Sequence, residues 1–440
     1  MTGRYYLRSF GCQMNEHDAE RIRALLEAEG LERAAEPDDA DVLVYNTCTV
    51  RKSADDRLAG HLGTAARLKR QDPARVVLVT GCLPQAEQAD FFARFPFVDG
   101  ALGPQNLHRL PELLRVAVAP AGESPAGFFD DGPHFSGSLT AHRERPFQAW
   151  VQVMSGCTNF CSYCIVPFVR GPERSRSVEE LAAEAEALVS DGVREVTLLG
   201  QNVNAYGRDL RGGGDATTPS FAALLRRLDA IDGLDRVRFM TSHPKDLGDD
   251  LVAAIAELPS VCEHVHLPAQ AGSDRVLRGM GRGYTAAQYL DRVRVLRTAV
   301  PDVSITTDLI AGFPGETEGE FAETLALVQE AAFDAAFTFV FSPRRGTAAA
   351  DLPGQVPPDV RRERVERLIE LTQQQALVSR RAWVGRRAEV LIEGPSRDGV
   401  QHRGRSRQNV TVNVAGAVEP GAIVTVDIIA ATSTTLRGSV

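Results

Sequence analysis

Short apolar runs alternate with amphipathic stretches along the first quarter of the chain. RYYLRSF, DVLVYNT and RVVLVTG have the length and β-branched content of buried strands, and EHDAERIRALLEAEG, VRKSADDRLAGHLGTAARLKR and PQAEQADFFARF carry helical periodicity. That alternation predicts a doubly wound parallel sheet over residues 1–116. Composition then shifts to Ala, Pro, Gly and Ser in VAVAPAGESPAGFFDDGPHFSGS, which marks 117–146 as a linker. Over 147–378 strand signals recur at AWVQVM, EVTLLG, RVRFM, HVHLP, VSITTDLI and DAAFTFVF, separated by stretches such as VEELAAEAEALVSDG. Six βα units predict a partial (βα)6 barrel. In 379–440 the runs AEVLIEG, NVTVNV and AIVTVDII, punctuated by Gly and Pro, predict a small β-barrel similar to folds that bind RNA. The fold class is therefore α/β with a C-terminal β-barrel.

At 440 residues the chain is too long for one ordinary core, which agrees with several domains. Its 43% hydrophobic and 24% charged residues are those of a soluble globular protein. No apolar run approaches the length of a membrane span, and MTGRYYLRSFGC carries no secretion pattern, so no membrane partner and a cytoplasmic location are expected. Seven cysteines in that setting point to reduced thiolates rather than a disulfide framework. A net charge of −9 argues against nucleic acid only for the chain as a whole. Locally, RRAWVGRRAEV and residues 401–409 are basic, which makes Arg403, Arg405 and Arg407 candidate RNA contacts.

Cys157, Cys161 and Cys164 lie within SGCTNFCSYCIVPFVRG. Structural zinc asks for four closed ligands, and no histidine or further cysteine follows at the needed spacing. Three thiolates suit a cubane iron–sulfur cluster whose fourth iron stays open to chelate a small molecule. Cys12, Cys48 and Cys82 each follow a predicted strand of the first domain, about 35 residues apart. In open parallel sheets that edge gathers ligands, so the three are expected to meet. In the middle domain the loops after successive strands hold Gln201 and Asn202, Ser242, Gln270, Asp308, Gly312 and Pro314. Taken together at the carboxyl mouth of a barrel, they read as a site for an adenosine-like cofactor. His243 and His266, each alone, are expected to be ordinary loop or core histidines, and Cys262 to be structural.

Phe10-Gly11-Cys12-Gln13-Met14-Asn15, Asn46-Thr47-Cys48-Thr49-Val50-Arg51, Gly81-Cys82, the cluster loop with Tyr163 before its last cysteine, LLGQNVNAYG, TSHP, DLIAGFPGET and FSPRRGTAAA together resemble the radical S-adenosylmethionine methylthiotransferases over essentially the whole chain. The resemblance implies two [4Fe-4S] clusters: one on Cys157, Cys161 and Cys164 that binds S-adenosylmethionine, and an auxiliary one on Cys12, Cys48 and Cys82. It adds Tyr163 to the cofactor-binding residues and makes the C-terminal barrel a TRAM domain that helps bind RNA. Within the family the motifs are most similar to the branch that places a methylthio group on C2 of N6-isopentenyladenosine at tRNA position 37. Implied partners are tRNA carrying that nucleoside, an electron donor such as a flavodoxin or ferredoxin, and cluster-repair proteins. Reductive cleavage of the cofactor would yield a 5′-deoxyadenosyl radical that abstracts the C2 hydrogen, the auxiliary cluster would supply sulfur, and a second S-adenosylmethionine would methylate it. Leu83-Pro84 and the alanines Ala269 and Ala271 depart from the branch pattern. Rival readings are action on threonylcarbamoyl-adenosine tRNA or on a ribosomal-protein aspartate, and a non-catalytic iron–sulfur RNA-binding protein.

Overall fold

The computed structural model describes residues 3–11, 13–49, 52–118, 125–130, 132, 135–136, 139–210, 219–397 and 399–440, with 52–56 by backbone alone. Two compact units are formed, one from 1–144, 150–158 and 164–174, the other from 145–149, 159–163 and 175–440.

In the first unit, β1 (Gly3–Ser9), β2 (Leu31–Arg33), β3 (Val42–Thr47), β4 (Val76–Gly81), β5 (Gly100–Leu102) and β6 (Ala126–Phe128) form one parallel sheet in the order β2-β1-β3-β4-β5-β6. Every residue of β3 and β4 is buried, as a sheet with both faces covered requires. Leu43, Tyr45, Val77 and Val79 pack on one face, while Val42, Val44, Val76 and Leu78 pack on the other. The helices Gln13–Ala28, Lys52–Gln71 and Leu110–Ala117 supply the flanking layers. β6 lies inside the segment expected to be only a linker. Its AGF triplet is too short to signal a strand, yet it finds the open edge of β5 and pairs with it.

β7 (Gln148–Gln152) and the two-residue strands β8 (Met154–Ser155) and β9 (Arg174–Ser175) follow. The second unit then holds β10 (Glu195–Leu199), β11 (Arg236–Phe239), β12 (His264–His266), β13 (Ser304–Ala311) and β14 (Ala335–Val340). β10 pairs with β11, and β12, β13 and β14 pair in turn, all parallel. A parallel bridge between Val237 and Val261 continues the row from β11 toward β12. Helices return each strand to the same end, and three of them, opened by Ser177, Thr285 and Thr317, begin with complete capping boxes. The result is an open parallel barrel.

The helix Pro358–Arg381 leads to a closed barrel of β15 (Arg387–Pro395), β16 (His402–Ser406), β17 (Thr411–Ala415), β18 (Ile423–Ala431) and β19 (Thr435–Ser439). Val390, Ile392, Val412, Val414, Val426 and Leu436 fill it. Among the described residues, no helix is long and apolar enough to cross a membrane.

Candidate active site

In the first unit, Cys48 directly follows β3 and Cys82 directly follows β4, behind the register pair Thr47 and Gly81. Both thiols are buried. Cys12 lies outside the described residues. The strand order reverses between β1 and β3, because the chain runs outward to β2 and then returns past β1. Such a switch point opens a crevice at the carboxyl ends of the strands. A buried network fixes that edge: Asn15 Nδ2 donates to Asn46 Oδ1 (3.2 Å) and to Thr47 O (3.0 Å), while Asn46 Nδ2 donates to Asn15 O (2.8 Å). Thr47 Oγ1 in turn donates to Thr80 O at 2.7 Å, tying β3 to β4. Gly11 lies so close to Cys48 that a Cβ there would stand 2.4 Å from the cysteine Cβ. A glycine is therefore required where the chain turns past the thiol. Cys82 packs with Ile165 and Val169, just beyond Cys164 in sequence.

The loop 157–164 is held by backbone bonds on either side of its turn. Cys157 N donates to Gly171 O at 3.1 Å, and Ser162 N donates to Met280 O at 3.0 Å. Phe160 within the turn takes a positive φ of 45° and is 63% exposed. Among the described residues, no three Cys, His, Asp or Glu side chains converge as a site for one metal ion.

The strand ends of the open barrel show the strongest chemical signature. Asn202 follows β10, Ser242 follows β11, Gln270 follows β12 and Asp308 lies in β13. Asn202 Oδ1, Ser242 Oγ and Gln270 Oε1 are buried polar atoms without a hydrogen-bond partner, and Asp308 Oδ1 makes no hydrogen bond but stands 3.5 Å from His266 Nε2. Native interiors pair nearly all such atoms with protein, water or ligand, so their gathering at this end of successive strands suits a polar ligand. Backbone bonds lock the tips in sequence: Val203 N to Thr241 O (3.0 Å), Ser242 N to His266 O (3.3 Å) and Gln270 N to Asp308 O (2.9 Å). Thr241 and Gln270 both stand at φ 70°, outside the range non-glycine residues prefer. Asn202 Oδ1, Gln270 Oε1 and an ionised Asp308 Oδ1 are acceptors, so the ligand chemistry that suits them carries N–H or O–H donors.

His243 was not legible as part of this set. It is buried, and its Nδ1 accepts from Lys245 N at 3.3 Å. Burial, followed by the charges of Arg282, Lys245 and Arg208, holds its pKa far below the usual imidazole range. The ring is therefore neutral with its proton on Nε2, and that atom too lacks a partner. His266 sits on β12 with Nδ1 3.0 Å from Thr306 Oγ1 and Nε2 3.5 Å from Asp308 Oδ1. Cys262 is buried, and burial raises its pKa, as a structural thiol requires.

Other expected contacts have different surroundings. A Cβ on Gly312 would meet Arg361 Cγ at 2.1 Å, so the position leaves no room for a side chain beside Arg361. Gly312 N donates to Glu316 Oε2 (2.7 Å), which also accepts from Arg364 Nη1 (2.9 Å), and Pro314 is buried in the same loop. Tyr163 packs half-buried against the cluster of Ala271, Leu277, Met280 and Phe313. Gln201 is half-buried beside Asn202.

The three C-terminal arginines are not equivalent. Arg403 and Arg405 lie on β16 and both reach Glu393, at 3.3 and 3.0 Å. Arg407 donates to both oxygens of Glu263 and to the carbonyls of Pro259 and Val261. From β11, Arg236 Nη1 donates to Arg405 O (2.9 Å) and Arg238 to the carbonyls of Ser406 (2.8 Å) and Arg407 (2.9 Å). The guanidinium of Arg407, a candidate RNA contact, is engaged here in joining the small barrel to the open one.

An open parallel barrel with these strand-end groups is the frame of a cofactor-binding α/β enzyme. Residues 151–328 match the Radical SAM superfamily, 4–103 the Uncharacterized protein family UPF0004, and 381–440 the TRAM domain. Membership in the first brings one [4Fe-4S] cluster and the use of S-adenosylmethionine. The fold is similar to that of the radical S-adenosylmethionine methyltransferase TsrM from Kitasatospora setae, with a TM-score of 0.57 and 14% identity over 80% of this chain and 77% of that one. Two relatives called tRNA-2-methylthio-N(6)-dimethylallyladenosine synthase are more similar in sequence. The one from Caldicellulosiruptor saccharolyticus is 46% identical over 93% of this chain and 86% of its own length. The one from Acidothermus cellulolyticus is 49% identical over 96% and 85%. The chain belongs to the tRNA-2-methylthio-N(6)-dimethylallyladenosine synthase family.

Proposed function

We propose that the protein is a transferase that methylthiolates C2 of N6-isopentenyladenosine at tRNA position 37. Cys157, Cys161 and Cys164 would hold the cluster that binds S-adenosylmethionine, and Cys12, Cys48 and Cys82 an auxiliary [4Fe-4S] cluster. Together the bound groups supply the radical chemistry an aromatic C–H bond demands, and the sulfur that replaces its hydrogen. The protein's own part is to bind and orient. Asn202, Ser242, Gln270 and Asp308 satisfy their unpaired atoms on the cofactor, with Gln201, Tyr163 and the 312–314 loop at its margin. The neutral His243 donates from Nε2 without adding a charge beside a sulfonium. Asn15, Asn46 and Thr47 keep the auxiliary edge rigid, so the ligands need little reorganisation. Of Arg403, Arg405 and Arg407, Arg403 is the most exposed and so the best placed to meet a phosphate, with Arg405 beside it. The working partners are tRNA bearing the isopentenyl group, a low-potential flavodoxin or ferredoxin and cluster-repair proteins, all in the cytoplasm.

The observation that carries this reading is the set of unpaired buried atoms on Asn202, Ser242 and Gln270, after successive strands, in a chain related along 93% of its length to a synthase of that name. Incubation of the reconstituted enzyme with tRNA, followed by mass spectrometry of the nucleosides, tests it. Isopentenylated tRNA should gain a 2-methylthio group and unmodified tRNA should not. Product on threonylcarbamoyl-adenosine, or on a ribosomal protein alone, would overturn the substrate.

A further inference from the structure

Among the described residues, Arg282 is a buried arginine with no carboxylate in ion-pair reach. It is 5% exposed, and its three nitrogens donate to two neutral oxygens and one sulfur. Nε donates to Tyr284 Oη at 3.0 Å, Nη2 to Pro268 O at 2.9 Å, and Nη1 to Cys161 Sγ at 3.5 Å. Tyr284 Oη in turn donates to Ala269 O at 2.9 Å, in the loop that carries Gln270. The same turn grips the residue after the cysteine, since Ser162 Oγ donates to Gly279 O at 2.8 Å. A buried guanidinium is costly unless an anion balances it. Here the candidate anion is the thiolate side of Cys161.

Resting on the cluster assignment above, we propose that Arg282 is a positioning and charge-compensating residue for the cluster on Cys161. An added electron makes a thiolate-ligated cluster more negative, and a fixed positive charge on one of its sulfurs favours that state. Hydrogen bonds to the sulfurs and local charge are the levers by which a protein sets such a potential. The electron itself comes from a low-potential one-electron donor. Through Pro268 and Ala269 the same side chain also fixes the cysteine relative to the cofactor loop.

The test is a dithionite titration of the reconstituted full-length enzyme, following the electron paramagnetic resonance signal that responds to S-adenosylmethionine. Arg282→Gln should keep its iron while the reduction equilibrium falls at least tenfold, which for one electron is a midpoint lower by about 59 mV. Arg282→Lys, which restores the charge, should recover most of that shift. If Arg282→Gln fails to load iron, Tyr284→Phe decides, since it frees the guanidinium and should lower the midpoint by a smaller step. An iron-loaded variant with an unchanged midpoint overturns the inference. Cys161→Ala separates the two claims: if it keeps the responsive signal, the cluster assignment fails, whatever Arg282 does.

Discussion

Arg407 and Glu263 form a two-pronged ion pair, with Nε 2.8 Å from one carboxylate oxygen and Nη2 2.8 Å from the other. Both side chains are mostly buried, so the pair is worth more than a surface bridge. Arg407→Ala would leave Glu263 uncompensated and should destabilise the protein by about 2–3 kcal/mol. Thermal unfolding should show this as a drop in Tm, with the affinity for tRNA in the folded state nearly unchanged.

Arg403→Ala should behave in the opposite way. Its side chain is 43% exposed, so stability should hardly move. Binding of tRNA should weaken, and the slope of log affinity against log salt should become shallower by about one phosphate contact. Equal slopes for parent and variant would remove Arg403 from the RNA surface.

Replacing single strand-end residues should weaken the cofactor without touching the iron. Gln270→Ala and Ser242→Ala each remove one of the unpaired groups, and each should cost about tenfold in affinity for S-adenosylmethionine. Equilibrium dialysis with the reconstituted enzyme measures this, and iron content serves as the control. Affinities equal to the parent would mean that these atoms face something other than the cofactor.

Two sets of three cysteines predict about eight irons per chain after anaerobic reconstitution. The triple change Cys157→Ala, Cys161→Ala and Cys164→Ala should leave about half of them. Cys48→Ala should keep cofactor cleavage and lose methylthio product. A parent with only about four irons would remove the auxiliary cluster.

Stability should fall as the solution is acidified through the range in which His17 resists protonation. His17 is fully buried, and burial, with Arg21 next, lowers its pKa to about 4 from the ordinary 6.5. Between those values the unfolded chain binds a proton that the folded one refuses, so stability declines as pH drops from about 6.5 to about 4. The total loss is about 3 kcal/mol, and His17 contributes no further decline below that window. Urea unfolding at a series of pH values should show this slope, and His17→Gln should flatten it.

The elements with apolar rhythm were legible from sequence, and those without it were not. VVLVTG and VSITTDLI announce themselves as β4 and β13 because both faces of a parallel strand are covered. HRGRS and TLRGS, now β16 and β19, carry Arg outward and the small Gly404, Ser406 and Gly438 inward, so no hydrophobic alternation marks them. The candidate residues Asn202, Ser242 and Gln270 could be read because each follows a strand, and Asp308 because it lies within β13 ahead of a glycine-rich loop. Arg282 could not, since MGRGY has the look of an exposed turn. Its burial depends on Pro268 and Tyr284 arriving from other parts of the fold. The engagement of Arg407 was hidden for the same reason: its partner Glu263 lies 144 residues away in sequence.

The positive φ angles at Thr241 and Gln270 carry an evolutionary consequence. Each costs on the order of 1 kcal/mol that glycine would not incur, more for the branched threonine. A library selected only for heat resistance should therefore accumulate Gly or Asn at these two positions. In doing so it would relax the tips of β11 and β12 and blunt the pocket they shape. Variants of this enzyme that survive heating best are thus expected to be those least able to hold their cofactor.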